Sequence, residues 1–182
     1  MAFKRFDTPI KDLVLIEPDF FSDSRGFFME TFNENGFKEI GLHERFVQDN
    51  LSQSTKGTLR GLHFQSPPNS QGKLVFVPSG EVLDVVVDLR KNESTYGQHF
   101  SALLSDGNKR MLYVPPGFAH GFLVTSEQAI FCYKCTEFYN KNAEGGLPWN
   151  DEFLGIDWGI TDPVLSEKDQ RYLPFPEFQS PF

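Results

Sequence analysis

The sequence predicts a mainly β fold, an antiparallel jelly-roll barrel carrying a few short helices. Short apolar runs recur along it between turn signals, the pattern of closely spaced antiparallel strands. Its 20 Phe, with many Val and Leu, suit pleated and half-buried strands better than helices. Helical periodicity is weak throughout. At 182 residues the chain accommodates one well-buried core and would cramp two, so a single domain over residues 1–182 is expected.

Taken in order, the expected strands cover residues 13–16, 26–32, 73–78, 82–89, 99–104, 110–114, 121–125 and 130–136, and the stretch around 59–65 is strand-like as well. Pro78-Ser79-Gly80, Lys91-Asn92-Glu93-Ser94, Ser105-Asp106-Gly107-Asn108 and Pro115-Pro116-Gly117 punctuate them. Asp106-Gly107 is a good tight-turn signal, because Gly tolerates positive φ. A short helix is expected at 33–40. A second is expected near 166–172, where Ser166 would cap and Asp169 would take the third position of a capping box. From about residue 173, Leu173-Pro174-Phe175-Pro176-Glu177-Phe178 is too proline-rich for a regular element and reads as an extended tail. Within 82–89, Leu83, Val85, Val87 and Leu89 share one face, and Val82, Asp84, Val86 and Asp88 share the other. That second, mixed face lines either a polar cavity or solvent.

Net charge is −8, which argues against nucleic acid or an anionic membrane as a general partner. The N-terminus Met1-Ala2-Phe3-Lys4-Arg5-Phe6-Asp7 has no apolar signal core, and no segment is long enough to span a bilayer, so a cytoplasmic location is expected. Cys132 and Cys135 form a CxxC inside a strand-like run. Residues three apart on a strand point to opposite faces with Cα atoms roughly 10 Å apart, beyond disulfide reach. No second Cys pair completes a zinc site.

The chemistry concentrates in Gln48-Asp49-Asn50, Leu59-Arg60-Gly61-Leu62-His63-Phe64-Gln65 and Gly72-Lys73-Leu74-Val75. A histidine moves protons near neutral pH, a lysine stabilises an oxyanion and an arginine grips phosphate. Together they point to proton transfer on a phosphorylated substrate that carries a carbonyl. Strict alternation would send Arg60 and His63 to opposite faces, so a shared pocket requires a bulge or twist near Gly61. Gln48 and Asn50, two apart, face one way and offer amides to sugar or base edges.

These motifs, with Pro115-Pro116-Gly117-Phe118-Ala119-His120-Gly121-Phe122 and Leu165-Ser166-Glu167-Lys168-Asp169, closely resemble the dTDP-4-dehydrorhamnose 3,5-epimerase family from about Ile16 to Asp169. The resemblance implies a cupin-type barrel and a dTDP-linked 4-keto-6-deoxy sugar as substrate. It implies His63 as base, Asp169 as its supporting carboxylate, Lys73 as the group that stabilises the enolate oxygen, and Tyr133 as the acid. It further implies substrate contacts from Arg60 and His120, and nucleotide contacts from Tyr139, Glu144 and Lys168. Arg25, Phe28 and Glu30 match a family segment that reaches a neighbouring subunit's nucleotide site, so a homodimer is implied. Pro115-x-Gly117-x-x-His120 looks like the second cupin motif, but His63-Phe64-Gln65 lacks the HxH of metal-binding cupins; no metal and no other cofactor is expected. Three other readings stay open: an epimerase inverting one centre, a metal-dependent cupin enzyme, and a non-catalytic sugar-binding cupin.

Overall fold

The computed structural model describes residues 2–182. In chain order its strands are β1 (Phe3–Asp7), β2 (Val14–Pro18), β3 (Phe20–Asp23), β4 (Gly26–Met29), β5 (Gln48–Thr55), β6 (Leu59–Gln65) and β7 (Lys73–Ser79). There follow β8 (Glu81–Asp88), β9 (His99–Ser105), β10 (Met111–Val114), β11 (Phe118–Val124), β12 (Gln128–Cys135) and β13 (Glu144–Gly146). One antiparallel sheet has the order β1-β2-β10-β7-β12-β5 and the other β13-β6-β11-β8-β9, while β3 and β4 form a separate hairpin. The expected mainly β, antiparallel jelly-roll architecture is what forms.

The pleat sorts each strand between two environments. Val75 and Val77 of β7, Val82 and Val86 of β8, Leu112 and Val114 of β10, Phe118 and Phe122 of β11, and Phe131 of β12 fill the space between the sheets. Their neighbours in sequence face outward. Val85, Val87, Ala119, Leu123, Leu59, Leu62 and Phe64 are covered by Leu147, Leu154, Trp158 and Phe175 of the C-terminal segment. Val14, Ile16, Leu74, Met111 and Tyr113 are covered by Phe37 and Leu42 around the helix α1 (Glu34–Glu39). Both faces of the β8–β11 region are therefore buried, which is why 82–89 reads as a nearly continuous apolar run.

Four expectations need correcting. The helix expected at 166–172 is a turn: Ser166 Oγ still accepts from the Asp169 N–H at 3.3 Å, but the Asp169 carboxylate is spent on His63 and cannot close a capping box. The strand expected at 26–32 stops at Met29, and the tail holds one 3₁₀ turn at Phe175–Glu177. In the β9–β10 loop Lys109, not Gly107, takes the positive φ, at 55°. Asn108 Oδ1 accepts from the backbone N–H of both Ser105 and Arg110 there, so a polar side chain builds the loop and the glycine need not. Helix α1, expected at 33–40, is capped by Asn33, which accepts from the N–H of Asn35 and Gly36.

Candidate active site

At one end the space between the sheets opens into a cavity of about 920 Å³, near the upper end of the roughly 300–1,000 Å³ usual for small-molecule sites. Arg60 and His63 of β6, His120 of β11, Lys73 of β7, Tyr133 of β12 and Asn50 of β5 line it, together with Glu144, Lys168 and Asp169. His63, Arg60 and His120 stand on one sheet, and Lys73 and Tyr133 on the other. A molecule between the sheets is thus met from two sides by different chemistry.

Gly61 makes this possible. His120 pairs with His63 and Phe122 with Arg60, so two steps on β11 match three on β6, which is the bulge that a shared pocket for Arg60 and His63 requires. Gly61 has φ +132°, and a Cβ there would lie 2.4 Å from the Gly121 Cα. Only glycine fits.

His63 Nε2 is 2.6 Å from Asp169 Oδ1, and that carboxylate is buried. A carboxylate accepts, so Nε2 carries the proton and Nδ1 keeps the basic lone pair. Burial holds the imidazole below its ordinary pKa, with Lys168 and Lys73 adding to the effect and Asp169 opposing it. Burial works to raise Asp169, but the His63 contact, Ser166 and Lys168 outweigh it and keep it low. The pair rests as neutral imidazole and carboxylate, ready to accept a proton.

His120 makes a second such pair that sequence reasoning did not assign. Its Nε2 lies 2.9 and 3.1 Å from the two oxygens of Asp84, which is fully buried and pushed up by burial against the pull of His120 and Lys73. The available signal was the Asp84 face of β8. That face meets neither solvent nor the open cavity: Val82 and Val86 lie in the core between the sheets, Asp84 is buried against His120, and Asp88 is tied to Arg90 and Thr95. Among the described residues no group of three His, Cys, Asp or Glu side chains is placed to hold a metal ion.

Lys73 pairs in register with Cys135 and Val114. Burial lowers its pKa, while Cys135, Asp84 and Glu144 act to raise it. Burial likewise raises the Tyr133 phenol, so it stays protonated at neutral pH and is available as a donor. Cys132 and Cys135 are both free, and Cys135 is buried where Asn50 Nδ2 reaches its sulfur at 3.6 Å.

The remaining positions divide. Gln48 Nε2 donates to Asn50 Oδ1 at 2.9 Å, and Gln48 Oε1 accepts from the Tyr139 N–H, so the two amides and Tyr139 form one rim. Lys168 is held by Glu144 at 2.6 Å, and the Tyr139 hydroxyl reaches the other Glu144 oxygen at 3.2 Å. Lys168 therefore meets a carboxylate first, and any phosphate contact must compete with it. Arg60 has no carboxylate partner among the described residues and donates to Ser54 Oγ. Arg25 and Phe28 are outside this cavity, on the exposed β3–β4 hairpin, where Asp23 grips Arg25; Glu30 follows it.

A protein-family model described as dTDP-4-dehydrorhamnose 3,5-epimerase matches residues 7–177. The chain is 51% identical over 178 residues to the dTDP-4-dehydrorhamnose 3,5-epimerase of Methanothermobacter thermautotrophicus, covering 96% of each. The chain belongs to the dTDP-4-dehydrorhamnose 3,5-epimerase family. As a member it is an isomerase that works on dTDP-linked sugars, built on a cupin-like barrel. The crystal structure of a dTDP-6-deoxy-D-glucose-3,5-epimerase from Legionella pneumophila in complex with dTDP-4-keto-L-rhamnose superposes with a TM-score of 0.93 at 45% identity, over 98% of this chain and 95% of that one. A 3'-monoepimerase from Streptomyces bikiniensis in complex with dTDP superposes at 0.87 with 28% identity, over 92% and 85%.

Proposed function

We propose that this epimerase inverts both C3 and C5 of dTDP-4-dehydro-6-deoxy-D-glucose, giving dTDP-4-dehydro-L-rhamnose for dTDP-L-rhamnose biosynthesis. The C4 carbonyl acidifies the protons on both neighbouring carbons. His63 Nδ1 removes one from the face toward its own sheet, and the imidazolium that forms is stabilised by the Asp169 carboxylate. The electron pair moves onto O4, where the Lys73 ammonium balances the enolate charge. The Tyr133 phenol, on the facing sheet, returns a proton from the other side and inverts the centre. Its phenolate then regains a proton, His63 gives one up, and the second centre reacts after the ring repositions. The reaction is redox-neutral, and no step passes through a metal.

The observation that carries this reading is the placement of a ready base and a protonated phenol on opposite walls of one cavity. A binding protein has no need of that division. Arg60 is the phosphate ligand best supported within the chain, since Lys168 already faces the Glu144 carboxylate and His63 rests as a neutral imidazole against Asp169. Gln48, Asn50, His120, Tyr139, Glu144 and Lys168 complete the substrate surround.

The reading extends to a cytoplasmic homodimer in which β3–β4 crosses to a second copy and presents Arg25, Phe28 and Glu30 to its nucleotide site. Phe20, Phe21, Phe27 and Phe28 are all exposed on that hairpin, with Phe21 and Phe28 at 66%, and such an apolar patch is normally covered. Phe32, beyond the end of β4, packs within the chain on Phe37 and Phe46 and is not part of that patch. A member that inverts one centre is the second reading, favoured by the likeness to a 3'-monoepimerase.

Tyr133→Phe tests the division of labour. It keeps the ring and deletes the proton. In deuterium oxide it should exchange substrate hydrogen with the configuration retained, because His63 still works. Epimerisation of both centres at the wild-type rate would remove Tyr133 from the mechanism.

A further inference from the structure

The β3–β4 hairpin leaves the barrel with no residue of either strand buried. Its four phenylalanines face outward, and Phe20 meets Phe27 edge-on at 6.4 Å. Met29 at the end of β4 packs on the body, and the rings of Phe20 and Phe27 meet a cation from it. Lys109, in the β9–β10 loop, places its ammonium 4.1 Å from the Phe27 ring centre and 5.1 Å from that of Phe20. Both are within the roughly 6 Å over which a cation is drawn to an aromatic face. Lys109 is half-buried there, although Asp106, Gly107, Asn108 and Arg110 around it are exposed.

The loop is built to aim that side chain. Lys109 takes φ 55°, a left-handed conformation that an unbranched lysine adopts only at some cost. The Lys109 N–H donates to Ser105 O at 2.9 Å, and its ammonium donates to Asp106 O at 2.6 Å. Asn108 fixes both sides of the loop through Ser105 and Arg110. A solvated lysine needs none of this. Its loop holds the charge at a fixed height above the barrel, and the two rings rest on it. At the far end of the same hairpin, Asp23 holds Arg25 through contacts of 2.6 and 3.2 Å. Lys109 thus reaches the hairpin arm both at its base, through Phe20, and beside its tip, through Phe27, while Asp23 orients Arg25 within the turn.

We propose that Lys109 is a positioning residue for the reaction: by seating Phe20 and Phe27 it sets the angle at which the arm delivers Arg25 to the nucleotide diphosphate bound in a second copy of the chain. This rests on the arm-exchanged homodimer described above. Lys109 touches no substrate. Its effect is to spare the arm a search through orientations before the partner binds, which is the benefit of preorganisation. It acts on assembly and on substrate affinity and leaves the proton transfers at His63 and Tyr133 alone.

The test is sedimentation equilibrium and steady-state kinetics on Lys109→Met, Lys109→Arg, Phe27→Leu and the Lys109→Met/Phe27→Leu double variant. Two ring contacts of this kind give Lys109→Met a dimer dissociation constant raised roughly ten-fold. KM for the dTDP-sugar should rise with it, and kcat should hold at protein concentrations that keep the dimer. Lys109→Arg, still a cation over the rings, should restore both values. Phe27→Leu should weaken the dimer too, and the double variant should fall short of the summed single effects. Wild-type dissociation and KM in Lys109→Met, or strict additivity in the double variant, would overturn the role of Lys109 while leaving a dimeric enzyme. A wild-type protein that sediments as a monomer at micromolar concentration would instead remove the arm exchange, and the proposal with it.

Discussion

Asp169→Asn keeps the size of the side chain and removes its charge. His63 loses a carboxylate 2.6 Å from Nε2 that is only 3% exposed and poorly screened by water. When His63 accepts a proton, the imidazolium and carboxylate charge centres lie about 4 Å apart. At an effective dielectric near 20 that attraction is worth roughly 3–4 kcal/mol, and losing it slows proton abstraction by about 10²–10³-fold. An asparagine amide turned to donate would also accept no proton from Nε2 and favour the wrong tautomer. The pH profile gives a second readout with a definite sign. In the wild type, burial outweighs Asp169 and His63 titrates below its ordinary value near 6.5, so activity falls as pH drops through that depressed pKa. Asp169 is the group lifting the His63 pKa, so Asp169→Asn moves the acid limb of kcat/KM to lower pH still. Stopped assays of sugar epimerisation from pH 4.5 to 8 would read both. A variant with wild-type kcat, or one whose acid limb moves upward, would refute the assignment of His63 as a base supported by Asp169.

Two further predictions follow from the same site. His63→Ala should abolish turnover and leave dTDP affinity within about two-fold, whereas Arg60→Ala should weaken dTDP binding by roughly ten- to a hundred-fold, the loss of one charge-assisted phosphate contact; calorimetric titration with dTDP separates them. Gly61→Ala should destabilise the fold by about 2–6 kcal/mol, combining a strained backbone with overpacking, because its Cβ would meet the Gly121 backbone at 2.4 Å; thermal unfolding unchanged from wild type would mean the bulge tolerates a side chain.

The strands were legible where one face differs in kind from the other. Lys73 begins an alternation whose next inward residues are Val75 and Val77, so the polar end of β7 could be read from the sequence. The bulge at Gly61 could be inferred as well, since Arg60 and His63 share a pocket only if one residue is extra. Distant pairings were not legible from local pattern: His63 with Asp169 came only through the family resemblance, and Asp84 with His120 was not read at all. Asp84 lies 36 residues from His120, and nothing local joins them. The β3–β4 hairpin misled because every strand residue but the half-buried Met29 is exposed in the chain, leaving no burial alternation to mark where β3 begins or β4 ends. The turn at Ser166–Asp169 carries genuine helix-start chemistry, but a long-range contact to His63 claimed the carboxylate. The C-terminal segment covers the outer sheet face largely without regular structure, so its Trp158 and Phe175 gave composition but no period.

Proton NMR of dTDP-4-dehydro-6-deoxy-D-glucose with the wild-type enzyme in deuterium oxide tests the central claim most directly. Proton transfer at both carbons beside the C4 carbonyl predicts solvent deuterium at C3 and at C5, with both centres inverted in the product. Exchange and inversion at one carbon alone would make the enzyme a single-centre epimerase. Conversion with neither position labelled would contradict the enolate route.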